Sequence, residues 1–221
     1  MMLYTSYRYL FPPRPETAIS PHQIPSFEMR NFAAQIKKNG TQNMIFVNRK
    51  ENEIICRKRH YNTTTQDGER HEMWSPNAQN MAWTKLLPGQ GWYVFAAELL
   101  HSKVKDGRKD TNYIFDILVD DGEYLIGTTF EERQERIRAL FEAHVIGDDY
   151  SHVVVDPHLL VAIPFTENLF KLWNDVKDMG NKEDEGLVLK KINGILSLCG
   201  TAKANSGWMA KSRFPTKNYS F

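Results

Sequence analysis

Two lysines stand side by side in the segment Gln35-Ile36-Lys37-Lys38-Asn39-Gly40-Thr41. A neighbouring positive charge disfavours the ammonium form of an amine, and an uncharged lysine is a nucleophile able to form a covalent intermediate. The Asn39-Gly40 pair predicts a tight turn, where the missing side chain lets the backbone approach a ligand closely. Further along, Glu98 interrupts the apolar run Phe95-Ala96-Ala97-Glu98-Leu99, and a carboxylate buried there needs a partner. Charged groups recur in Glu185-Gly186-Leu187-Val188-Leu189-Lys190 and in Trp208-Met209-Ala210-Lys211-Ser212-Arg213. A lysine before a polar turn is common on protein surfaces; the information lies in the ordered series.

Strands are needed to hold most of these residues. Residues 32–36 and 44–47 read as strands flanking the Asn-Gly turn, and 53–56 as a short strand ending at Arg57. Residues 92–100 and 112–119 are apolar and rich in β-formers, joined by a polar hairpin connection over 103–110. Residues 186–190 and 208–213 read as two more, and 153–155 and 159–163 as short apolar runs. Thr129-Phe130-Glu131-Glu132 is a capping box that predicts a helix to about His144. A second helix is predicted from Thr166 to near Gly180, with Leu169, Phe170, Leu172, Trp173 and Val176 on one face. The polar stretch 60–80, with Thr63-Thr64-Thr65 and Asp67-Gly68, reads as a long loop. Pro12, Pro13, Pro15, Pro21 and Pro25 predict an extended lead-in over 1–26 rather than a regular element, ahead of one domain over 27–221. Hairpins with two isolated helices, and no βαβ repeat, predict an α+β fold of antiparallel β-sheets with packed helices.

Composition narrows the classes further. A net charge of +1 over 221 residues gives no overall field for nucleic acid, so any basic surface is local. The local clusters are Arg57-Lys58-Arg59-His60, Lys103-Val104-Lys105 with Arg108-Lys109, and Lys211-Ser212-Arg213; the second reads as a solvated face. Two cysteines, Cys56 and Cys199, without a CxxC spacing, argue against a structural zinc site or a disulfide framework. The N-terminus lacks an apolar signal core, and no apolar run nears the roughly 20 residues of a membrane span. These features predict a soluble cytoplasmic protein, in the host cytoplasm if the source is viral.

Taken in order, Lys37-Lys38-Asn39-Gly40, Arg57, Glu98, Tyr113-Ile114-Phe115-Asp116-Ile117-Leu118, Glu185 to Lys190 and Trp208 to Arg213 resemble the motifs of the covalent nucleotidyltransferase superfamily. Its members are ATP-dependent DNA ligases, RNA ligases and mRNA capping enzymes, and the resemblance covers roughly residues 30 to 213. It implies a nucleotidyltransferase (ATP-grasp-like) adenylation domain. Lys37 stands where the family's lysine attacks the α-phosphate of a nucleoside triphosphate, and Asn39 stands where aspartate is commoner. Gln35 falls where members read the base edge, although a strand residue there also reads as facing solvent. Arg57 matches an arginine that contacts the nucleotide or a 5′-phosphate, or is one more surface charge of its basic run. The resemblance implies further that Glu98 contacts the ribose or a metal, and that Phe115 stacks on the purine. Glu185 helps hold Mg2+ or Mn2+ in the family, while Glu183 and Asp184 read as loop charges. Lys190, Lys211 and Arg213 would surround the triphosphate, Lys211 acting catalytically on the α-phosphate; members usually have lysine where Arg213 stands. Asp116 receives no catalytic role.

The implied activity is that of an ATP-dependent polynucleotide ligase: lysyl-AMP formation, AMP transfer to a 5′-phosphate, then sealing to a 3′-hydroxyl. Gln42 stands where DNA ligases usually carry arginine, a feature shared with RNA ligases, whereas Phe115-Asp116-Ile117-Leu118 and the helix of Glu132-Arg133 look like DNA ligases. RNA and DNA ends therefore both remain open as partners. The sequence ends eight residues after Arg213, so no C-terminal oligonucleotide-binding (OB) domain is expected, and a partner would supply one. The alternatives are a GTP-using capping guanylyltransferase and a nonenzymatic nucleic-acid-binding module of the same fold.

Overall fold

A computed structural model describes residues 2–61, 72–74, 80–100, 107–200 and 205–215. Its strands are β1 (Met2–Leu3), β2 (Arg14–Ala18), β3 (Phe32–Lys38), β4 (Thr41–Asn48), β5 (Glu53–Tyr61), β6 (Glu72–Trp74), β7 (Trp92–Leu100), β8 (Thr111–Asp120), β9 (Glu123–Tyr124), β10 (Gly147–Asp149), β11 (His152–Asp156), β12 (Leu159–Ala162), β13 (Asp184–Lys191) and β14 (Asn205–Arg213). The α-helices are α1 (Ile24–Glu28), α2 (Phe130–Phe141) and α3 (Leu169–Met179). The predicted loop tip at 63–68 and the Lys103–Lys105 cluster lie outside the described residues.

Two sheets organise the chain. The larger runs β10-β11-β12-β8-β7-β4-β5-β6, with β9 on β8 and β1 on β9; the smaller runs β2-β14-β13-β3. Strands β7 and β4 sit centrally in the larger sheet and are buried on both faces, which explains the consecutive apolar residues over 92–97 and 44–47. The smaller sheet buries Ile36, Leu187, Leu189 and Ala210 against Leu169, Trp173 and Val176 of α3, and turns its other face toward the larger sheet. The α+β class holds, but the sheets are mixed: β12 pairs with β8, and β14 with β2, in parallel.

Several elements differ from their sequence forecast for local reasons. The proline-rich lead-in contains a regular element: Arg14–Ala18 pairs with β14 along the edge of the smaller sheet, where proline's missing N–H is tolerated. Within the predicted 60–80 loop, Glu72–Trp74 pairs with β5, which itself continues to Tyr61. The helix forecast from Thr166 starts at Leu169, because Asn168 sits in the left-handed region at φ 56° and a helix cannot pass through it. The Glu28 carboxylate caps α3 instead, accepting from the Asn168 and Leu169 amides at 2.7 and 3.0 Å. Gly180, at φ 65°, ends that helix as forecast. The Thr129–Glu132 capping box is present, and α2 closes in a 3-10 turn over Glu142–His144.

The strands flanking Asn39-Gly40 do not form a hairpin. β3 pairs with β13, and β4 with β5 and β7, so the turn carries the chain from one sheet to the other. Gly40 is required there for space rather than for backbone rotation. A Cβ on it would lie 2.5 Å from the Leu99 carbonyl oxygen.

Candidate active site

Strand parity assembles the site. On β3, β13 and β14 the residues Gln35, Val188 and Lys211 stand in register in one row, with Lys37, Gly186 and Arg213 in the next. Side chains two apart on a strand share a face, so this face of the smaller sheet carries Gln35, Lys37, Lys190, Met209, Lys211 and Arg213. Opposite it, the larger sheet contributes Gln42, Glu98, Tyr113 and Phe115. Between them lies a cavity of about 570 Å³, whose wall also includes Pro12, Pro13, Arg14, Pro15 and Glu16.

A β-bulge places the reactive pair. Asp184 pairs with Lys38 and Gly186 with Lys37, leaving Glu185 as the inserted residue. Bulges bend a strand and re-aim side chains. Here the bulge lets two consecutive acids meet two consecutive lysines. The Lys37 ammonium donates to Glu185 at the cavity wall, while the buried Lys38 ammonium donates to Asp184 Oδ1 at 2.7 Å. Gly186 permits this geometry at φ 136°, with the Ser212 carbonyl oxygen only 2.0 Å from where a Cβ would sit. Tyr150 donates to the second oxygen of Asp184.

Two expectations are thereby corrected. Lys38 spends its charge in its own buried ion pair with Asp184, and the partner of the Lys37 ammonium is the Glu185 carboxylate. Glu183 does sit in the turn before β13, but Asp184 is the first residue of that strand. Both are buried, and Glu183 accepts from the Arg108 guanidinium at 3.0 Å. Arg108 also stands 3.7 Å from Asp149, so the basic stretch forecast as a solvated face contributes a cross-link.

The remaining residues divide clearly. Glu98 accepts from the Gly40 amide at 3.2 Å, pinning the crossover turn. Arg213 Nε stands 3.9 Å from the oxygen of Glu185 that holds Lys37, and Lys211 lines the same wall. Lys190 is turned inward: its ammonium donates to the Phe115 carbonyl at 3.0 Å and lies 4.0 Å from Asp116, between the Phe115 and Phe130 rings. Burial pushes its pKa down to about 8, with Asp116 raising it and Arg133 lowering it. Gln35 is buried rather than facing solvent, and donates to Gln134 Oε1 at 2.9 Å. Asn39 and Arg57 do not line the cavity. The Asn39 amide donates to the Glu183 carbonyl at 2.7 Å, and the Arg57 guanidinium lies over the Tyr7 ring and donates to the Cys56 carbonyl.

Three cavity features were not singled out from the sequence: the Pro12–Glu16 wall, Tyr113, and Gln134 behind Gln35. For the first a signal existed, since prolines around short polar residues suit an edge strand. Asp116 is structural, as its carboxylate accepts from Arg133 at 2.8 and 3.3 Å.

Two residues of the cavity wall carry buried polar atoms without partners. Gln35 Oε1 and both amide atoms of Gln42 are buried without a hydrogen bond among the described residues, and each such atom is costly unless something satisfies it. For a divalent cation, no group of three or more His, Cys, Asp or Glu gathers among the described residues. Magnesium needs only one or two carboxylates when phosphate oxygens and water complete its shell; Glu98 and Glu185 both line the cavity.

Solved structures of similar fold are known. Mycobacterial DNA ligase D complexed with ATP and MES superposes with a TM-score of 0.61 at 15% identity, covering 92% of this chain and 60% of that one. The ligase domain of LigD from M. tuberculosis gives 0.56 at 14% identity, covering 92% and 59%. The chain has the fold of a DNA ligase domain. A Lig E DNA ligase, described as binding DNA with a minimal scaffold, adds a TM-score of 0.50 at 14% identity, covering 93% and 70%. No protein-family model and no curated relative matches the sequence. The ligase-fold chain thus spans about three-fifths of the two LigD chains it matches.

Proposed function

We propose that the chain is the nucleotidyltransferase (ATP-grasp-like) adenylation unit of an ATP-dependent polynucleotide ligase, with Lys37 as nucleophile. One observation carries this reading: Lys37 meets Glu185 at the wall of a cavity that also gathers Gln35, Glu98, Phe115, Lys190, Lys211 and Arg213. In the first step the Lys37 Nζ lone pair forms a bond to the α-phosphorus of ATP. The bond from that phosphorus to the bridging oxygen breaks, pyrophosphate leaves with the electron pair, and the lysine proton passes to solvent. Attack requires a free amine, so the ion pair with Glu185 must open. Arg213, already close to that carboxylate, is placed to take it over. Lys211 faces the phosphates and stabilises the charge that grows on them, an electrostatic contribution to phosphoryl transfer. Glu98 and Glu185 would hold Mg2+ or Mn2+, which supplies further neutralisation of phosphate charge. Phe115 offers a stacking face for the base, and Glu98 an acceptor for ribose hydroxyls.

AMP would then pass to a 5′-phosphate on nicked duplex or RNA ends, with a 3′-hydroxyl displacing it. The work belongs in the cytoplasm; among the described residues no helix is long and apolar enough to cross a membrane. Intact mass after incubation with ATP and Mg2+ tests the first step. The protein should gain one AMP, and Lys37→Ala should gain none. No gain in either, or an equal gain in both, defeats the reading.

A further inference from the structure

We propose that Gln134, a residue of α2 outside the catalytic set, decides which nucleotide the cavity accepts by fixing the orientation of the Gln35 carboxamide. This inference rests on the nucleotide-site reading above and adds to it a specificity device.

The two ends of a carboxamide have nearly the same shape, so their orientation follows from their partners. Here the chain of partners begins at a group that cannot reverse. The backbone carbonyl of Phe115 only accepts hydrogen bonds. Gln134 Nε2 donates to it at 3.3 Å, which turns Gln134 Oε1 toward Gln35. Gln35 therefore presents its own Nε2 to Gln134, at 2.9 Å. Its other end, Oε1, is left as a buried acceptor with no partner among the described residues, on a residue that lines the cavity. Both glutamines are more than nine-tenths buried, so bulk water does not scramble the arrangement. Lys190 donates to the same Phe115 carbonyl at 3.0 Å, using its second lone pair and holding the anchor in place.

Gln35 lines the cavity, so a base edge seated against its carboxamide would meet an acceptor in search of a donor. The 6-amino group of adenine supplies one. The 6-oxo group of guanine or hypoxanthine sets oxygen against oxygen in that position, and the base must shift to offer its N1–H instead. Gln35 can reverse only if Gln134 reverses too, and Gln134 would then point its oxygen at the Phe115 carbonyl. The three groups act as one unit, as coupled hydrogen bonds do. Phe115 supplies both the ring on the cavity wall and the carbonyl anchor, so base stacking and base reading share one residue.

The test compares ATP with ITP, which differ along the base edge carrying the 6-substituent, by measuring the affinity of each for the protein. Affinity rather than adduct formation is read, so a failure of lysyl-AMP chemistry leaves this measurement intact. The wild type should prefer ATP by on the order of tenfold to a hundredfold, the usual effect of leaving one buried polar group unpaired. Gln134→Met removes the constraint while keeping side-chain length, and the preference should shrink to within about threefold as Gln35 becomes free to turn. Gln134→Asn, too short to bridge, should do the same and serves should the methionine variant fail to fold. A purely structural role for Gln134 would weaken both nucleotides by one factor and preserve the ratio. That result overturns the proposal, as does a wild type that binds ATP and ITP equally or binds neither.

Discussion

Gly186 shows how a single residue sets the chemistry next to it. Its φ of 136° lies where side-chain-bearing residues are strained, and a Cβ would collide with the Ser212 carbonyl at 2.0 Å. The bulge that aims Glu185 at Lys37 depends on that backbone. Gly186→Ala should therefore cost at least about 2 kcal/mol in urea unfolding and move Glu185 off the amine. An alanine variant of unchanged stability and unchanged AMP labelling would show that the bulge geometry is dispensable. The same region explains why the two lysines differ. Lys37 meets Glu185 at the cavity wall, whereas Lys38 is buried and received by Asp184 and the Tyr113 and Tyr150 rings.

At the scale of elements, α3 is held to the sheet partly from outside itself. Asn168 gives no side-chain cap, and the Glu28 carboxylate of α1 closes the first turn by accepting two backbone amides. A carboxylate at a helix N-terminus also complements the helix dipole. Glu28→Ala should lower unfolding stability by about 1–2 kcal/mol, in the range of a lost N-cap, while leaving nucleotide affinity as it was. A change below about 0.3 kcal/mol would contradict the assigned cap.

This cap was invisible in the sequence because Glu28 and Asn168 are 140 residues apart. What could be read were features with local causes: the capping box at Thr129, the stop at Gly180, and the apolar runs within β7 and β8. The cavity residues could be read because their motifs sit at alternating positions on strands. Gln134 could not, since a helix glutamine facing inward carries no local signature. Nor could the pairing of Arg14–Ala18 with β14 be seen, because proline restricts its own backbone but says nothing of a strand nearly two hundred residues away. Asn39 and Arg57 sit in the right motifs, yet point to the crossover turn and to Tyr7, because motif spacing records position and not direction.

At the scale of the molecule, the two sheets meet at a seam beside the cavity. Tyr113 of the larger sheet donates toward the Ile36 and Ser151 carbonyls at 3.2 and 3.3 Å. His152 lies next to this seam, fully buried, with Nδ1 2.7 Å from Ser151 Oγ. Burial pushes its pKa from 6.5 down to about 4, aided by Lys38 and Arg108 and opposed by Asp149. The unfolded chain thus binds a proton on His152 near pH 6.5, and the folded chain only near pH 4. Between those values the unfolded state holds more protons, so stability is lost as pH falls from 6.5 to 4. The contribution is at most about 3 kcal/mol. His152→Gln should flatten that part of the stability–pH curve relative to the wild type. Parallel curves for the two proteins would show that His152 does not titrate across the seam.

Buried Lys190, with a pKa near 8, supplies the sharpest check on the central claim, since it is a second lysine on the same cavity whose amine loses its proton readily. Peptide mapping of the protein after incubation with ATP and Mg2+ should find AMP on Lys37 and on no other lysine. AMP found on Lys190, or an unmodified Lys37 in protein saturated with nucleotide, would contradict the account.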